Sequence, residues 1–381
     1  MEKFISGLGL HVMIAAGIFI FMFLIQVYFY LRYYRKAFLK KATINNKAEI
    51  PVEPVSIIIC ARNEAANLEK NLPLIMEQDY PDFEVIVVND RSEDETEDIL
   101  KRFATKYPRL HVSEVRKDPV FTHGKKLALT LGIKASSNEW LLMTDADCVP
   151  ASRNWLSLMQ KNFTNNKDLV LGYGGYKKEI GFLNHIIRFE TVFTAMQYIG
   201  MAVAGKPYMG VGRNLAYRKS LFFANKGFAS HSNLYSGDDD LFVNETASSS
   251  NVAVELNPES FTRSNAETTF KNWFLQKKRH LTTGGRYTFP TKFRLILEYF
   301  SRVLFLFSFV YLLIFYPFWE IVLGIFGILL IVKAIIYKIV FTRLNESNLF
   351  ITSPVFDLLM PFFYSIIHLS NLFERKRRRW N

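Results

Sequence analysis

Residues Leu8 to Leu31 form a stretch of 24 residues that contains no Asp, Glu, Lys or Arg. At a rise of about 1.5 Å per residue, a helix of this length crosses the roughly 30 Å hydrocarbon core of a bilayer. A cleaved signal peptide is the weaker interpretation, because the stretch is long and no Ala-x-Ala cleavage site follows it. We therefore expect a membrane-anchored chain whose other parts fold beside a bilayer.

Three more apolar blocks lie near the carboxyl terminus, at Val303 to Trp319, Ile321 to Phe341 and Leu349 to Phe373. The first two predict a hairpin of membrane-spanning helices. The third block contains two prolines and an aspartate, and a full crossing would place the basic tail Glu374 to Arg379 outside, against the charge rule. We expect this block to be re-entrant, interfacial or broken at its prolines, with a full crossing as the alternative.

Basic residues cluster just beyond the apolar blocks, which accounts for the net charge of +12 without any nucleic-acid partner. Those after the first stretch are Arg32, Arg35, Lys36, Lys40 and Lys41. By the positive-inside rule, the amino terminus lies outside and the next domain lies in the cytosol. The expected organisation is an anchor over 1–50, a catalytic domain over 51–285 and a membrane region over 286–381, in a multi-pass protein of the inner (plasma) membrane.

Apolar strands and amphipathic helices alternate between Pro51 and about Gly285. The predicted strands are 55–60, 83–88, 111–115 and 140–144, and the predicted helices are one capped by Asn63, 95–107 and 125–135. Such an order predicts an α/β domain with a mostly parallel sheet that binds ligands at the carboxyl ends of its strands. A helical stretch from Gly181 to Met209 is expected either in the headgroup plane or in the core.

Asp145 and Asp147 follow the fourth predicted strand. Positions i and i+2 of an extended chain face the same side, and two carboxylates there suit Mg²⁺ or Mn²⁺ with positions left open for phosphate. A polar turn is the simpler interpretation of this pair alone. Other polar residues, however, fall at the same edge of the sheet: Cys60, Arg62 and Glu64 after the first strand, Asp90 after the second, and Lys125 at a helix start. Together they predict a nucleotide-diphosphate pocket.

The ordered motifs resemble the family 2 glycosyltransferases of GT-A fold (Rossmann-like), in the membrane-anchored branch that includes cellulose and hyaluronan synthases. The motifs are Val55 to Glu64, Val87 to Ser92, Gly124 to Leu129, Thr144 to Asp147, Gly212 to Arg218, Ser236 to Asp240 and Gln276 to His280. The resemblance implies that Asp90 contacts the nucleobase and that Cys60, Arg62 and Glu64 line the nucleoside pocket. It places Asp145 near ribose and diphosphate and Asp147 on the metal ion.

Three consecutive acids, Asp238, Asp239 and Asp240, lie where the family keeps its catalytic base at a helix start. Alignment on Gly237 makes Asp239 the base, although a slip of one residue would select either neighbour. The ordinary alternative is a helix amino terminus decorated with acids. Crowding three carboxylates should raise the pKa of at least one of them.

The segment Gln276 to His280 departs from the family pattern Gln-x-x-Arg-Trp, because His280 stands where the family has Trp. By resemblance, Gln276 and Arg279 meet the diphosphate. His280 indicates either an altered acceptor site or a tolerated packing change, and Trp273 could serve as the acceptor platform instead. This departure weakens the case for a synthase that extrudes long polymer.

The sequence therefore predicts an inverting, metal-dependent glycosyltransferase that moves a sugar from a nucleotide-diphosphate sugar, UDP-linked by expectation, to a lipid or glycan acceptor at the cytosolic membrane face. Membrane lipids are its other expected partners. The alternatives are a processive polysaccharide synthase, an inactive scaffold of a polysaccharide export complex and, more weakly, a nucleotidyltransferase. Cys60 and Cys148, the two cysteines, are expected to be reduced, structural thiols.

Overall fold

The computed structural model describes residues 9–39, 51–115, 124–234 and 236–373. Lys40, Lys41 and the basic tail, on which part of the topology prediction rests, lie outside these ranges. The strands are β1 Val55–Ala61, β2 Phe83–Asn89, β3 Leu110–Glu114, β4 Trp140–Asp145, β5 Val149–Pro150, β6 Leu169–Leu171, β7 Gly174–Tyr176, β8 Leu215–Arg218, β9 Val252–Val254 and β10 Thr262–Ser264.

The helices begin with α1, Leu10–Leu39, which contains a π-helical turn at Tyr30–Tyr34. The others are α2 Ala65–Met76, α3 Thr96–Lys106, α4 Lys125–Ala135, α5 Trp155–Gln160, α6 Phe182–Val203, α7 Lys219–Ala224, α8 Asp240–Thr246, α9 Phe270–His280, α10 Phe289–Phe315, α11 Trp319–Arg343 and α12 Ser353–Phe373.

Seven strands form the main sheet in the order β3-β2-β1-β4-β8-β6-β9. Strands β1 to β4 are parallel, whereas β8 pairs antiparallel with both β4 and β6. Side chains of β1 alternate between two cores: Ile57 and Ile59 pack on the side of α2 and α3, and Ile58 packs on the side of α4 and α6. The prediction of a mostly parallel α/β sheet with helices on both faces is confirmed.

The predicted cap at Asn63 is wrong. Helix α2 begins after Glu64, and Asn63 adopts a left-handed backbone conformation with φ 56°. Its Oδ1 instead accepts a hydrogen bond of 2.8 Å from the backbone N–H of Glu93 in the loop after β2. Asn63 therefore joins two loops at the carboxyl ends of neighbouring strands, where its short polar side chain tolerates positive φ.

Helix α6 lies in the core, between the sheet and the membrane helices. Phe189, Phe193, Met196 and Tyr198, which the headgroup interpretation would expose, are all buried. The structure thus favours the core alternative for this segment. Only the start of the helix shows a large exposed apolar side chain, at Phe182.

Three described helices are long and apolar enough to cross a membrane: α1, α10 and α11. Helix α10 starts 14 residues before the predicted boundary at Val303, at Phe289, and so carries charged residues along its first half. Helix α12 is not among these candidate spans, and it continues through Pro361, so the alternative of a block broken at its prolines is wrong. A re-entrant or interfacial position and a full crossing stay predictions.

One buried ionic group ties the α11–α12 loop to the catalytic domain, and a second joins the membrane helices to one another. Glu346, in the loop between α11 and α12, is fully buried and accepts from Arg188 of α6 and Arg263 of β10. Between the helices, Asp357 of α12 pairs with Arg302 of α10 and with Lys333 of α11, the latter at 2.8 Å. Buried charges that are paired in this way hold their elements in fixed positions, because removing one partner leaves the other uncompensated.

Candidate active site

A cavity of about 560 Å³ opens at the carboxyl ends of β1 and β4 and continues between the membrane helices. Its wall combines strand ends and the helices α6, α8, α9, α10 and α12. Of the sequence-predicted site residues, the structure brings the following to this wall: Cys60, Arg62, Glu64, Lys125, Asp145, Asp147, Asp238, Asp239, Asp240, Gln276, Arg279 and His280.

Asp90 and Trp273 do not line the cavity. Asp90 is 1% exposed; its Oδ1 accepts from Nε of Arg91 at 2.9 Å, and its Oδ2 has no hydrogen-bond partner among the described residues. Trp273 is fully buried, and its ring stacks on Phe363 at a centroid distance of 4.4 Å. A side chain in this position cannot serve as a platform for an acceptor sugar, so the structure contradicts that prediction for Trp273.

Asp145 ends β4, and Asp147 follows it in a turn closed by a 3.0 Å hydrogen bond from Cys148 N–H to the Asp145 carbonyl. Lys125, at the first position of α4, places its Nζ 2.6 Å from Oδ1 of Asp145. Burial alone would raise the pKa of Asp145, but Lys125, together with Arg213 and Arg279, outweighs burial and the pKa is lowered. Asp147 has no such ion pair among the described residues: burial and then the charge of Asp145 raise its pKa to about 6.

The donor set at this turn fits a hard divalent cation. One ligand atom each from Asp145, Asp147 and Cys148 lies within 4.8 Å of the others. Burial raises the pKa of the Cys148 thiol well above its usual range, so it remains protonated and sulfur contributes little to such a site. Two carboxylate oxygens with open positions are what Mg²⁺ or Mn²⁺ needs beside a phosphate. A cation would also relieve the repulsion that raises the pKa of Asp147.

The three acids before α8 have different partners. Gly237 makes the turn with φ 101°, and the carboxylates then diverge. Asp238 Oδ2 lies 3.4 Å from Nζ of Lys125. Asp240 accepts from the hydroxyls of Thr283 and Tyr287 through one oxygen and from Leu241 N–H through the other, so it is tied to two side chains outside its own helix.

Asp239 is bound by backbone groups alone among the described residues. Its Oδ2 accepts from Gly212 N–H at 2.8 Å and its Oδ1 from Asp240 N–H at 2.7 Å. Burial, followed by the charges of Asp238 and Asp240, raises its pKa to about 7. A carboxylate with this pKa, at the wall of a cavity, can take up a proton near neutral pH.

Helix α9 carries the remaining predicted residues, and Thr269 caps it by accepting from Asn272 N–H at 3.2 Å. Gln276 donates to Glu267 at 3.3 Å, while Arg279 and His280 line the cavity at the end of the helix. The charge of Arg279 contributes to the lowered pKa of Asp145. With Lys277, the helix therefore delivers one amide, one ammonium, one guanidinium and one imidazole to the cavity wall.

Sequence reasoning assigned no role to Arg213, which also lines the cavity. Its guanidinium lies 4.4 Å from the ring centroid of Tyr176, donates to Ser264 Oγ at 3.1 Å and contributes to the lowered pKa of Asp145. Arg213 lies in the motif Gly212 to Arg218, and a comparison of the basic with the acidic residues of the motifs would have drawn attention to it. The partners of Asp240 and the cavity carboxylate Glu298 carry no comparable signal in the sequence.

Residues 56–223 match the family model described as Glycosyl transferase family 2. Similar proteins include the glycosyltransferase AglE of Haloferax volcanii, 36% identical over 104 residues, which are 27% of this chain and 33% of that protein. A poly-beta-1,6-N-acetyl-D-glucosamine synthase of Staphylococcus epidermidis is 33% identical over 26% of this chain and 23% of its own length. A beta-monoglucosyldiacylglycerol synthase of Trichormus variabilis is 34% identical over 26% of this chain and 21% of its own length. The chain thus spans a third or less of these relatives.

Among solved structures, the fold is similar to that of the mannosyltransferase PcManGT from Pyrobaculum calidifontis, which was determined in complex with GDP-Man and Mn²⁺. The superposition has a TM-score of 0.58 at 19% sequence identity and covers 96% of this chain and 99% of that one. At this identity the likeness concerns the fold, which includes the membrane helices as well as the sheet.

Proposed function

We propose that the chain is a membrane-bound inverting glycosyltransferase, on the premise that residues 56–223 match the model of glycosyl transferase family 2. It takes a sugar from a nucleotide-diphosphate donor, with UDP-sugars as the first candidates, and transfers it to a lipid or glycan acceptor. The observation that carries the proposal is the position of Lys125, whose ammonium group contacts Asp145 of the donor side and Asp238 of the base side. The two halves of a transfer site thus share one wall.

On the donor side, Lys125, Arg213 and Arg279 supply positive charge next to Asp145 and Asp147. Asp145 and Asp147 would hold Mg²⁺ or Mn²⁺, which neutralises charge on the departing diphosphate when bound. The cationic side chains stabilise the same charge. Asp90, the proposed nucleobase contact, is buried outside the cavity wall with one oxygen that lacks a partner among the described residues, so the loop after β2 must shift before a nucleobase N–H reaches it.

On the acceptor side, Asp239 takes the proton from the acceptor hydroxyl as the hydroxyl oxygen bonds to the anomeric carbon. The bond from that carbon to the diphosphate oxygen breaks on the opposite face, so the configuration inverts. Gly212 N–H and Asp240 N–H hold the carboxylate of Asp239 in place before the reaction. Asp240, bound to Thr283 and Tyr287, positions the start of α8 and is not the base.

The proposed location is a plasma membrane with the domain on its cytosolic side. Three candidate spans support this topology, because an outside amino terminus and three crossings put the basic residues Arg375 to Arg379 in the cytosol. Four crossings would put them outside. The relatives include both a polymer synthase and a glycolipid synthase, so a processive enzyme is the second candidate.

The test is a screen of UDP- and GDP-sugars with Mn²⁺ on protein reconstituted in nanodiscs, read by thermal stabilisation and by donor turnover. We expect one donor to bind the wild type and Asp239→Asn alike, and turnover to be lost in the variant. Full turnover by Asp239→Asn, or no response to any donor, contradicts the proposal; the latter result would favour an inactive scaffold. Product length then separates one-sugar addition from a polymer ladder.

A further inference from the structure

The cavity does not end at the catalytic acids. Beyond Asp239 its wall passes to membrane-side residues: Glu190, Thr194 and Gln197 of α6, Glu298, Tyr299 and Arg302 of α10, and Tyr364 and His368 of α12. The proposed function makes the donor and base groups one end of the cavity, and the assignment of the other end rests on it. The other end lies between helices that pack against the bilayer-spanning elements, where a polar lining requires an explanation.

Glu298 carries a buried oxygen without a hydrogen-bond partner among the described residues. The side chain is 4% exposed; its Oε2 accepts a long hydrogen bond of 3.4 Å from Gln197 Nε2, and the carboxylate also accepts from the hydroxyl of Tyr34. Its Oε1 has no hydrogen-bond partner in the described parts of the chain and lies 4.0 Å from Nε of Arg302. The guanidinium group of the same Arg302 donates to the backbone oxygen and to a side-chain oxygen of Asp357. A buried carboxylate left in this state is costly unless a donor reaches it from the cavity.

The neighbours of Glu298 define which donor fits. Glu190 adds a second carboxylate, which accepts from Tyr364 Oη at 2.5 Å and from Thr194 Oγ1 at 3.1 Å and which pairs with Lys277. Two cations of this part of the wall, Lys277 and Arg302, are thus engaged with Glu190 and Asp357, so a phosphate would meet carboxylates whose charge these cations already balance. Such polar and charged side chains are a poor surface for an acyl chain. Hydroxyl groups can donate to the carboxylates, and tyrosine rings such as Tyr299 and Tyr364 offer flat apolar faces beside them.

We propose that the membrane end of the cavity is an acceptor subsite for an uncharged, hydroxyl-rich head such as a sugar ring, and that Glu298 binds it by accepting from one of its hydroxyls. The acceptor is then a glycan or a glycolipid head and not a lipid phosphate. Glu298 selects and orients the acceptor, while proton removal belongs to Asp239.

A matched pair of amphiphiles tests this assignment. n-Octyl β-D-glucoside and n-octyl phosphate share one tail and differ in the head, and each is titrated below its micellar concentration into the full-length protein in nanodiscs. We expect the glucoside to bind and the phosphate to bind at least about ten-fold more weakly. Glu298→Ala should weaken glucoside binding about ten-fold, the usual effect of losing a hydrogen bond to a charged group.

Glu298→Gln keeps the shape of the side chain and serves as a second variant in case Glu298→Ala unfolds. This variant replaces the unpaired oxygen with an N–H donor. We therefore expect the difference in binding affinity between the glucoside and the phosphate to become smaller. Glu320→Gln is the control, since Glu320 is an exposed acid at the start of α11 outside the cavity wall. It should bind both amphiphiles as the wild type does.

The proposal is overturned if octyl phosphate binds the wild type as tightly as the glucoside, or if both Glu298 variants bind the glucoside unchanged. UDP and GDP binding with Mn²⁺ is measured on the same preparations to keep the two ideas apart. If the wild type binds neither UDP nor GDP, that result counts against the proposed function. The relative affinity for the two amphiphiles tests the acceptor subsite alone. Nucleotide binding should be equal in Glu298→Ala and the wild type.

Discussion

Asp145 and Asp147 lie at the end of a strand, whereas Asp238 to Asp240 lie at the start of a helix. Lys125 contacts both groups of acids. In the first group the ammonium group of Lys125 helps to lower the pKa of Asp145, whereas the pKa of Asp147 is raised to about 6. In the second, two hydroxyls occupy Asp240, and the pKa of Asp239 is raised to about 7. Acids that look equivalent in sequence thus differ in the partners that reach them, and the partners determine their chemistry.

The sharpest way to separate the two groups is Asp147→Asn. It removes a carboxylate from the cation side, so we expect transfer to fall by about 10² to 10³ and Mn²⁺-dependent nucleotide binding to weaken with it. Asp239→Asn should also abolish transfer but leave nucleotide binding intact. Titration of UDP at several Mn²⁺ concentrations measures the difference. If both variants lose binding equally, the division of labour between the groups is wrong.

The pH dependence of transfer gives the next largest effect. The pKa of Asp239 is raised to about 7, and a general base works only when deprotonated, so kcat/KM should rise about ten-fold per pH unit up to about 7 and level off above it. Donor binding is measured at each pH, because Asp147 titrates near 6 and affects the cation side. A profile that stays flat from pH 5.5 to 8 would contradict the role given to Asp239.

Asp240→Asn tests the claim that adjacent acids do different work. The amide cannot offer a charged acceptor to Thr283 and Tyr287, so we expect a loss of about 1–3 kcal/mol in the free energy of unfolding and less than a ten-fold loss of transfer. Tyr287→Phe should shift stability in the same direction by less. Should Asp240→Asn keep wild-type stability and lose all transfer, the base is Asp240 and the comparison fails.

The smallest effect on activity is expected at Trp273. Because its ring packs on Phe363 and is closed off from the cavity, Trp273→Phe should lower thermal stability and change the acceptor KM by less than about two-fold. His280→Ala is the counterpart on the cavity wall. A rise of ten-fold or more in acceptor KM for Trp273→Phe alone would restore it as an acceptor platform.

Local patterns were sufficient where neighbours in sequence make the structure. The prediction of a helix at 125–135 matches α4 at both ends, and the four strands of the parallel part were predicted within one residue. Each of these elements has an apolar face that its own residues define. The carboxyl ends of the strands then fix the neighbourhood of Asp145, Lys125 and Glu64, because parallel strands end at one edge.

Distant partners explain what the sequence could not provide. The first half of α10 carries charges and lies before the predicted apolar block, which starts at Val303. One of these charges, Arg302, is neutralised by Asp357, 55 residues away. The burial of Trp273 depends on Phe363, and the role of Asp240 depends on Thr283 and Tyr287. A periodic pattern reports the face that a residue occupies, and it does not report which side chain arrives opposite.

Glu346 holds the catalytic domain at a fixed position relative to the α11–α12 loop. Since its buried carboxylate binds Arg188 below the sheet and Arg263 beside the cavity, the domain cannot rock against the α11–α12 loop without stranding a charge. A bilayer of different thickness must therefore adapt around the spanning helices, by local thinning or thickening or by tilting of the whole protein. The depth at which an acceptor has to present its hydroxyl is set by the polypeptide, so membrane thickness becomes a variable that tunes how easily acceptors reach the site.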